Sequence, residues 1–201
     1  MYTLRCTHKL LRRIDETPSS EVVSPTTVLG DWYANLLYLR PQQLVLAMNE
    51  RTLMCALVPA APAATVADRL RLEVGGLLRD IGVPEAKVEA ELAAMEHVAI
   101  GATASRAVLG CMNDAVYQLG AYPRGGRGEL DLRAASLHLA ENIYSLTDYA
   151  RPWVRALDRD VKRVHEDVGV LIEVGLVEKT AGGKIHVPYA VIEADFALRA
   201  A

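Results

Sequence analysis

The spacing of apolar residues in the first third of the chain predicts β-strands. Short apolar runs are separated by turn-forming segments such as Arg40-Pro41 and Asn49-Glu50-Arg51. Because the runs are nearly continuous, we expect both faces of the resulting sheet to be covered. The predicted strands are an initial short strand at Tyr2–Arg5 and an antiparallel meander formed by Tyr33–Leu39, Gln43–Met48 and Thr52–Val58.

Beyond the meander, apolar residues recur with the three- and four-residue spacing of amphipathic helices. Thr65 and Ser105 are suitable N-caps for two of these helices. Gly82 is a suitable end for the first helix, and Pro84 suits the first turn of the next. A short strand is expected at Val98–Ile100. The pattern predicts an α+β fold in which an N-terminal antiparallel β-meander packs with helices.

A glycine-rich segment at Pro123–Gly128 indicates a flexible connection near a domain boundary. We therefore expect an α+β domain over residues 1–128 and a second domain over residues 129–201. A predicted helix at Leu130–Asn142 could belong to either domain, so the boundary is placed between residues 123 and 150.

The last quarter of the chain has the pattern of a C-terminal winged helix-turn-helix. A short helix is followed by a longer one with an apolar face, which Gly175 ends, and then by two strands. The predicted elements are helices at Pro152–Leu157 and Asp160–Val174, strands at Leu176–Lys179 and Lys184–Pro188, and a hairpin turn at Ala181–Gly183.

This arrangement predicts a set of DNA contacts. The N-terminal residues of a recognition helix reach base edges in the major groove, and basic residues on the wing reach phosphates. The candidate DNA-binding residues are Arg155, Arg159, Lys162, Arg163, His165, Lys179 and Lys184. The alternative is that these residues form a solvated basic helix face with a hairpin behind it.

Composition limits the possible functions. The formal net charge is −3, which counts against a protein that coats nucleic acid, so DNA must be contacted through a local basic face. The cysteines, Cys6, Cys55 and Cys111, are far apart and have no CxxC spacing, which predicts free thiols in a cytoplasmic protein without a structural metal. No apolar stretch is long enough to predict a membrane span.

An enzyme is the remaining class of function to consider. A catalytic site requires convergent titratable groups, and the sequence has no metal-ligand spacing and no phosphate-binding loop, so we expect no catalytic residues and no cofactor. Most of the polar residues suit turns, caps or exposed helix faces instead. The residues considered are Asp31, Asn35, Asn49, Glu50, Asn113 and Asp114, with His8, His97 and His138 elsewhere.

Two segments of the chain resemble known families. The segment Arg155–Val168, followed by residues 176–179 and 184–189, resembles prokaryotic winged-helix predicted transcriptional regulators, many of which are interpreted as antitoxins. This resemblance covers Trp153–Ala201, although Asp158 stands where that family usually has glycine in its turn. Residues from Met1 to about Ala140 resemble an uncharacterised bacterial domain family of unknown function.

Together these features favour an antitoxin-like, DNA-binding regulator of a prokaryotic toxin–antitoxin module. Its expected partners are double-stranded operator DNA, bound by a homodimer, and a toxin protein. The N-terminal domain either binds the partner protein or provides the dimer contact. The alternative is a protein-binding antitoxin or inhibitor that neutralises its target without binding DNA. The acidic net charge favours that alternative, because many toxins that act on nucleic acid are basic.

Overall fold

The computed structural model describes residues 1–19, 24–126, 128–147, 151–156, 178–179 and 185–186. Contacts between Cα atoms divide the chain into two units, Met1–Asp158 and Arg159–Ala201. The strands are β1 Tyr2–Cys6, β2 Trp32–Leu39, β3 Gln42–Asn49, β4 Cys55–Pro59, β5 Val98–Ala102, β6 Glu178–Lys179 and β7 Ile185–His186. The helices are α1 His8–Ile14, α2 Val66–Asp80, α3 Glu85–Ala94, α4 Arg106–Ala121, α5 Leu132–Leu139 and α6 Pro152–Ala156, with 3-10 turns at Ala63–Thr65 and Ser145–Thr147.

The first unit is built on a five-stranded sheet with the strand order β4-β3-β2-β1-β5. The predicted antiparallel meander is confirmed for β2, β3 and β4. The sheet as a whole is mixed, however, because β1 pairs in parallel with both β2 and β5. Leu4 is the centre of this parallel half, with Trp32 as its register partner on one side and Ile100 on the other. The sequence pattern left the pairing of β1 and β5 open, and the structure adds both of them to the meander as parallel strands.

Alternate residues of β2 face two separate hydrophobic cores, because side chains of a strand alternate between its faces. Trp32 and Ala34 pack in the core that contains the buried residues of α1, α2 and α3. Tyr33 and Leu37 pack in the core that contains those of α4 and α5. The prediction that both faces of the meander are covered is confirmed.

Helix α5 protects one edge of the sheet. The backbone N–H of Leu57, on the edge strand β4, donates to the Ser136 Oγ at 3.0 Å. The same hydroxyl donates to the Leu132 carbonyl at 2.7 Å, and Ser136 is fully buried. An edge N–H that is satisfied by a side chain offers no donor to a further strand, so β4 is closed to pairing at this point.

The glycine-rich segment at Pro123–Gly128 and helix α5 are bonded to the sheet of the first unit. The Gly125 N–H donates to the Glu129 carbonyl, and the Leu130 N–H donates to the Gln42 side chain on β3. These bonds, and the packing of α5 on β4, keep the chain in the first unit. The first unit runs to Asp158.

Helix α3 carries a buried carboxylate. Glu91 is 4% exposed, and its two oxygens accept the backbone N–H groups of Val28 at 2.7 Å and Leu29 at 3.1 Å. Burial raises the pKa of Glu91 above its ordinary value of 4.5, while the two backbone hydrogen bonds, the N-terminal amino group and Arg51 lower it by less. The carboxylate therefore holds residues 28 and 29 in place, although burial disfavours its charged form.

We expect Glu91 to make the stability of the first unit depend on pH. Its folded pKa is raised, so the folded state keeps a proton that the unfolded chain has lost. The free energy of unfolding therefore falls as pH rises from 4.5 to the raised folded pKa, and stays lower above it. Urea titrations of the parent and Glu91→Gln across this range measure the effect.

The difference in unfolding free energy between the parent and Glu91→Gln should fall with pH, since glutamine cannot titrate. Glu89→Gln is the matched control, because Glu89 is an exposed glutamate on the same helix. It should keep the pH dependence of the parent. Parallel pH profiles for the parent and Glu91→Gln would contradict the assignment.

Candidate nucleic-acid interface

The predicted DNA-binding residues are described only in part. Arg155 lies in α6, and Lys179 lies in β6. The others, Arg159, Lys162, Arg163, His165 and Lys184, lie outside the described residues, as does the predicted helix at Asp160–Val174.

The second unit contains an antiparallel strand pair where the sequence predicts a hairpin. Glu178 pairs with His186, and Lys179 pairs with Ile185. The pairing of the two predicted strands is confirmed for these four residues, and the predicted turn between them lies outside the described part of the chain. In this register the Lys179–Ile185 pair is the one nearest the predicted turn.

Arg155 occupies an exposed position on a helix that belongs to the first unit. The helix predicted at Pro152–Leu157 is confirmed over Pro152–Ala156. Ala156 is 7% exposed and packs in the core beneath α1, α2 and α3. Because α6 is packed in this way, the first unit, and not the second, positions Arg155.

The polar residues considered as catalytic candidates have local structural roles. The Asp31 carboxylate accepts the Thr3 N–H at 2.9 Å and a guanidinium N–H of Arg5 at 2.8 Å. The Asn49 side chain is fully buried and bonds to the backbone on both sides of it. Asn35 accepts the Thr7 hydroxyl at 3.0 Å. These contacts hold the ends of neighbouring strands together.

The remaining polar residues considered as catalytic candidates take no part in these contacts. Asn113 and Asp114 are exposed on α4, and Glu50 is exposed in the β3–β4 turn. Within the described residues, no group of three or more His, Cys, Asp or Glu side chains is arranged to hold a metal ion.

The structure also brings together a basic surface that the sequence pattern did not single out. Helix α1 buries Leu10 and Leu11 and leaves Lys9, Arg12 and Arg13 exposed, because the two leucines lie on the face that packs against the sheet. We call the exposed residues, together with Leu36 and Tyr38 of β2, the α1–β2 surface. They line a concavity of about 420 Å³.

The first unit matches a sequence family whose function is unknown. The sequence model of a family described as a domain of unknown function, DUF6933, matches residues 3–155. The chain belongs to this family. The match confirms the resemblance of the N-terminal region to an uncharacterised domain, and extends it through α6.

A second family model, described only as HVO_A0114, matches residues 144–194. This range covers most of the segment for which a resemblance to winged-helix regulators was noted, and its description states no function. No curated protein and no solved structure matches the chain significantly.

The α1–β2 surface lies entirely within the DUF6933 domain. Within the described residues, Lys9, Arg12 and Arg13 have no carboxylate partner, whereas Arg5, Arg79, Arg133 and Arg151 each pair with an Asp or Glu. A sequence signal for this surface exists, since residues 1–14 contain no acidic residue. That signal has little specificity by itself, because exposed cations on a short helix are common.

In the described part of the DUF6933 domain and of the second unit, no helix has the length and apolarity needed to cross a membrane.

Proposed function

We propose that this protein is an antitoxin-like, DNA-binding transcriptional regulator. The observation that carries the proposal is the antiparallel pairing of β6 with β7, which lies where a winged helix has its wing. The division of the chain before Arg159 supports it, because the predicted recognition helix and wing then belong to one unit. The match of residues 144–194 to a second family supports a module separate from the DUF6933 domain.

In this proposal the second unit reads double-stranded operator DNA. Lys162 and Arg163, at the start of the predicted recognition helix, contact base edges or phosphates, and Lys179 and Lys184 contact DNA from the wing. The DUF6933 domain provides the contact between two copies of the chain, or binds a toxin. Two copies on a palindromic site increase both affinity and specificity.

Replacing Lys162 and Arg163 with alanine is expected to weaken operator binding by about 1–3 kcal/mol for each lost base contact. The measurement is a titration of the full chain with its own upstream DNA at several salt concentrations, where loss of phosphate contacts reduces the salt slope. Arg106→Ala is the control, because Arg106 is exposed on α4 in the first unit. If the double variant binds operator as the parent does, the recognition helix is wrongly assigned.

The second candidate function is neutralisation of a target by direct contact, without DNA. The acidic net charge favours it, since an acidic surface complements a basic target. This candidate predicts that affinity purification from the native host recovers a stable complex with one protein. It also predicts that the same preparation shows no salt-sensitive binding to its upstream DNA.

A further inference from the structure

We propose that the α1–β2 surface binds single-stranded nucleic acid. This activity belongs to the DUF6933 domain and does not depend on operator binding by the second unit. It would give the protein a second nucleic-acid contact of different chemistry, through unpaired bases instead of a duplex groove.

The first argument is electrostatic. Lys9, Arg12 and Arg13 lie on one side of α1, and no described carboxylate pairs with any of them. The net charge of the protein is −3, yet three cations without ion-pair partners among the described residues lie around one concavity. The local electrostatic potential there is therefore positive. Such a potential complements a phosphate backbone.

The second argument is the aromatic residue among these cations. Tyr38 is 62% exposed although it lies in a strand of the central sheet. Its cross-strand partner Gln43 is also exposed, so no core contact accounts for the tyrosine. An exposed ring beside a positively charged groove is the combination on which single-stranded nucleic acids bind, because each unpaired base can stack on it.

The third argument concerns the shape of the surface. The concavity is about 420 Å³, and the buried side chain of Leu36 also lines it. That space accommodates a stacked base while the cations contact the flanking phosphates. A duplex could reach the cations, but its paired bases are not free to stack on Tyr38. The surface therefore favours single strands over duplexes.

The test uses the full chain and fluorescently labelled oligothymidylate and oligouridylate of about fifteen nucleotides, within the site sizes of known single-strand binders. Binding is followed by fluorescence anisotropy, with an unlabelled blunt duplex as competitor. The two oligonucleotides distinguish DNA from RNA as the natural ligand. The Lys162→Ala/Arg163→Ala variant should bind both as the parent does, which separates this proposal from the operator proposal.

Tyr38→Ala is expected to weaken binding by at least about fivefold, the lower range for loss of one stacked base. Tyr117→Ala is the matched control, because Tyr117 is 83% exposed on α4 and should bind like the parent. Replacing Lys9, Arg12 and Arg13 together with alanine should lower the slope of log affinity against log salt by about two. Far-UV circular dichroism verifies that each variant is folded.

Three results would overturn the proposal. The first is that a folded Tyr38→Ala variant binds both oligonucleotides as tightly as the parent. The second is that the duplex competes as well as an unlabelled single strand. The third is that the parent binds neither oligonucleotide above the level of a chain lacking the three α1 cations.

Discussion

Replacement of Asn49 with alanine is expected to destabilise the first unit by about 3–4 kcal/mol, the range for loss of several buried hydrogen bonds at once. The Asn49 Nδ2 donates to the carbonyls of Leu29 at 3.0 Å and Asp31 at 3.2 Å. Its Oδ1 accepts the N–H groups of Arg51 at 3.1 Å and Thr52 at 2.9 Å. Alanine removes all four bonds; the Asp31 carbonyl still accepts the Glu50 N–H at 3.0 Å, so the cost is mainly the desolvation of the buried Leu29 carbonyl and Thr52 N–H.

Urea denaturation followed by circular dichroism measures this loss as a change in midpoint at constant slope. Asn113→Ala is the matched control, because Asn113 is exposed on α4, and its effect should stay within about 0.5 kcal/mol. Asn49→Asp should also destabilise strongly, since a carboxylate keeps the Oδ1 contacts but places an oxygen against two carbonyls. A loss below about 1 kcal/mol for Asn49→Ala would show that the turn rearranges to satisfy its own backbone.

The second large effect is expected for Asp31→Ala, at about 2–3 kcal/mol. Asp31 is 6% exposed, and it joins β1 to the start of β2 through the Thr3 N–H and the Arg5 guanidinium. Removal of the carboxylate leaves Arg5 without its counter-charge. The Arg5 Nε is already buried without a hydrogen-bond partner among the described residues. The expected cost stays below that of a fully buried pair because the Arg5 side chain keeps 23% of its surface exposed to solvent.

A double-mutant cycle with Asp31→Ala and Arg5→Ala separates the ion pair from the Thr3 contact. The double variant should be destabilised by less than the sum of the two single variants, because the ion pair is lost only once. Asp114→Ala is the control, since Asp114 is an exposed carboxylate on α4. Additive effects of the two substitutions would mean that Asp31 acts through the Thr3 N–H alone.

Both predictions concern the same end of the sheet. Asn49 bonds to the Asp31 carbonyl, and Asp31 bonds to β1, so the two side chains connect the parallel and antiparallel halves of the sheet. The opposite end of β2 carries Tyr38 and faces the basic residues of α1. The contacts of Asp31 and Asn49 thus lie at one end of β2, and the surface proposed for ligand binding lies at the other.

The sequence alone was sufficient to predict most local elements. The meander of β2, β3 and β4 followed from short apolar runs separated by turn residues. Ser105 caps α4 as expected, with its hydroxyl accepting the Val108 N–H at 3.3 Å. Gly82 ends the α2 segment with a φ of +86°, a conformation that glycine adopts without strain. Thr65 behaves differently, because its hydroxyl accepts from the Arg69 guanidinium and caps no backbone N–H.

The tertiary structure decided what local patterns do not encode. Apolar spacing reports which face of a strand is buried, but not which strand lies beside it, so the parallel pairing of β1 with β2 and β5 was not predicted. A glycine-rich segment indicates a turn but not where the chain goes next. Two hydrogen bonds, Gly125 to Glu129 and Leu130 to Gln42, show that the chain returns to the same sheet.

The α1–β2 surface illustrates both contributions. Helical geometry is local, so the sequence alone predicts which residues share a face of α1. Their positions around Leu10 and Leu11 place Lys9, Arg12 and Arg13 together on the solvent side. Their meeting with Tyr38 depends on the parallel register of β1 and β2, in which Cys6 lies opposite Ala34. That register extends β2 past the end of β1 and beside α1, and it is set by contacts between residues distant in sequence.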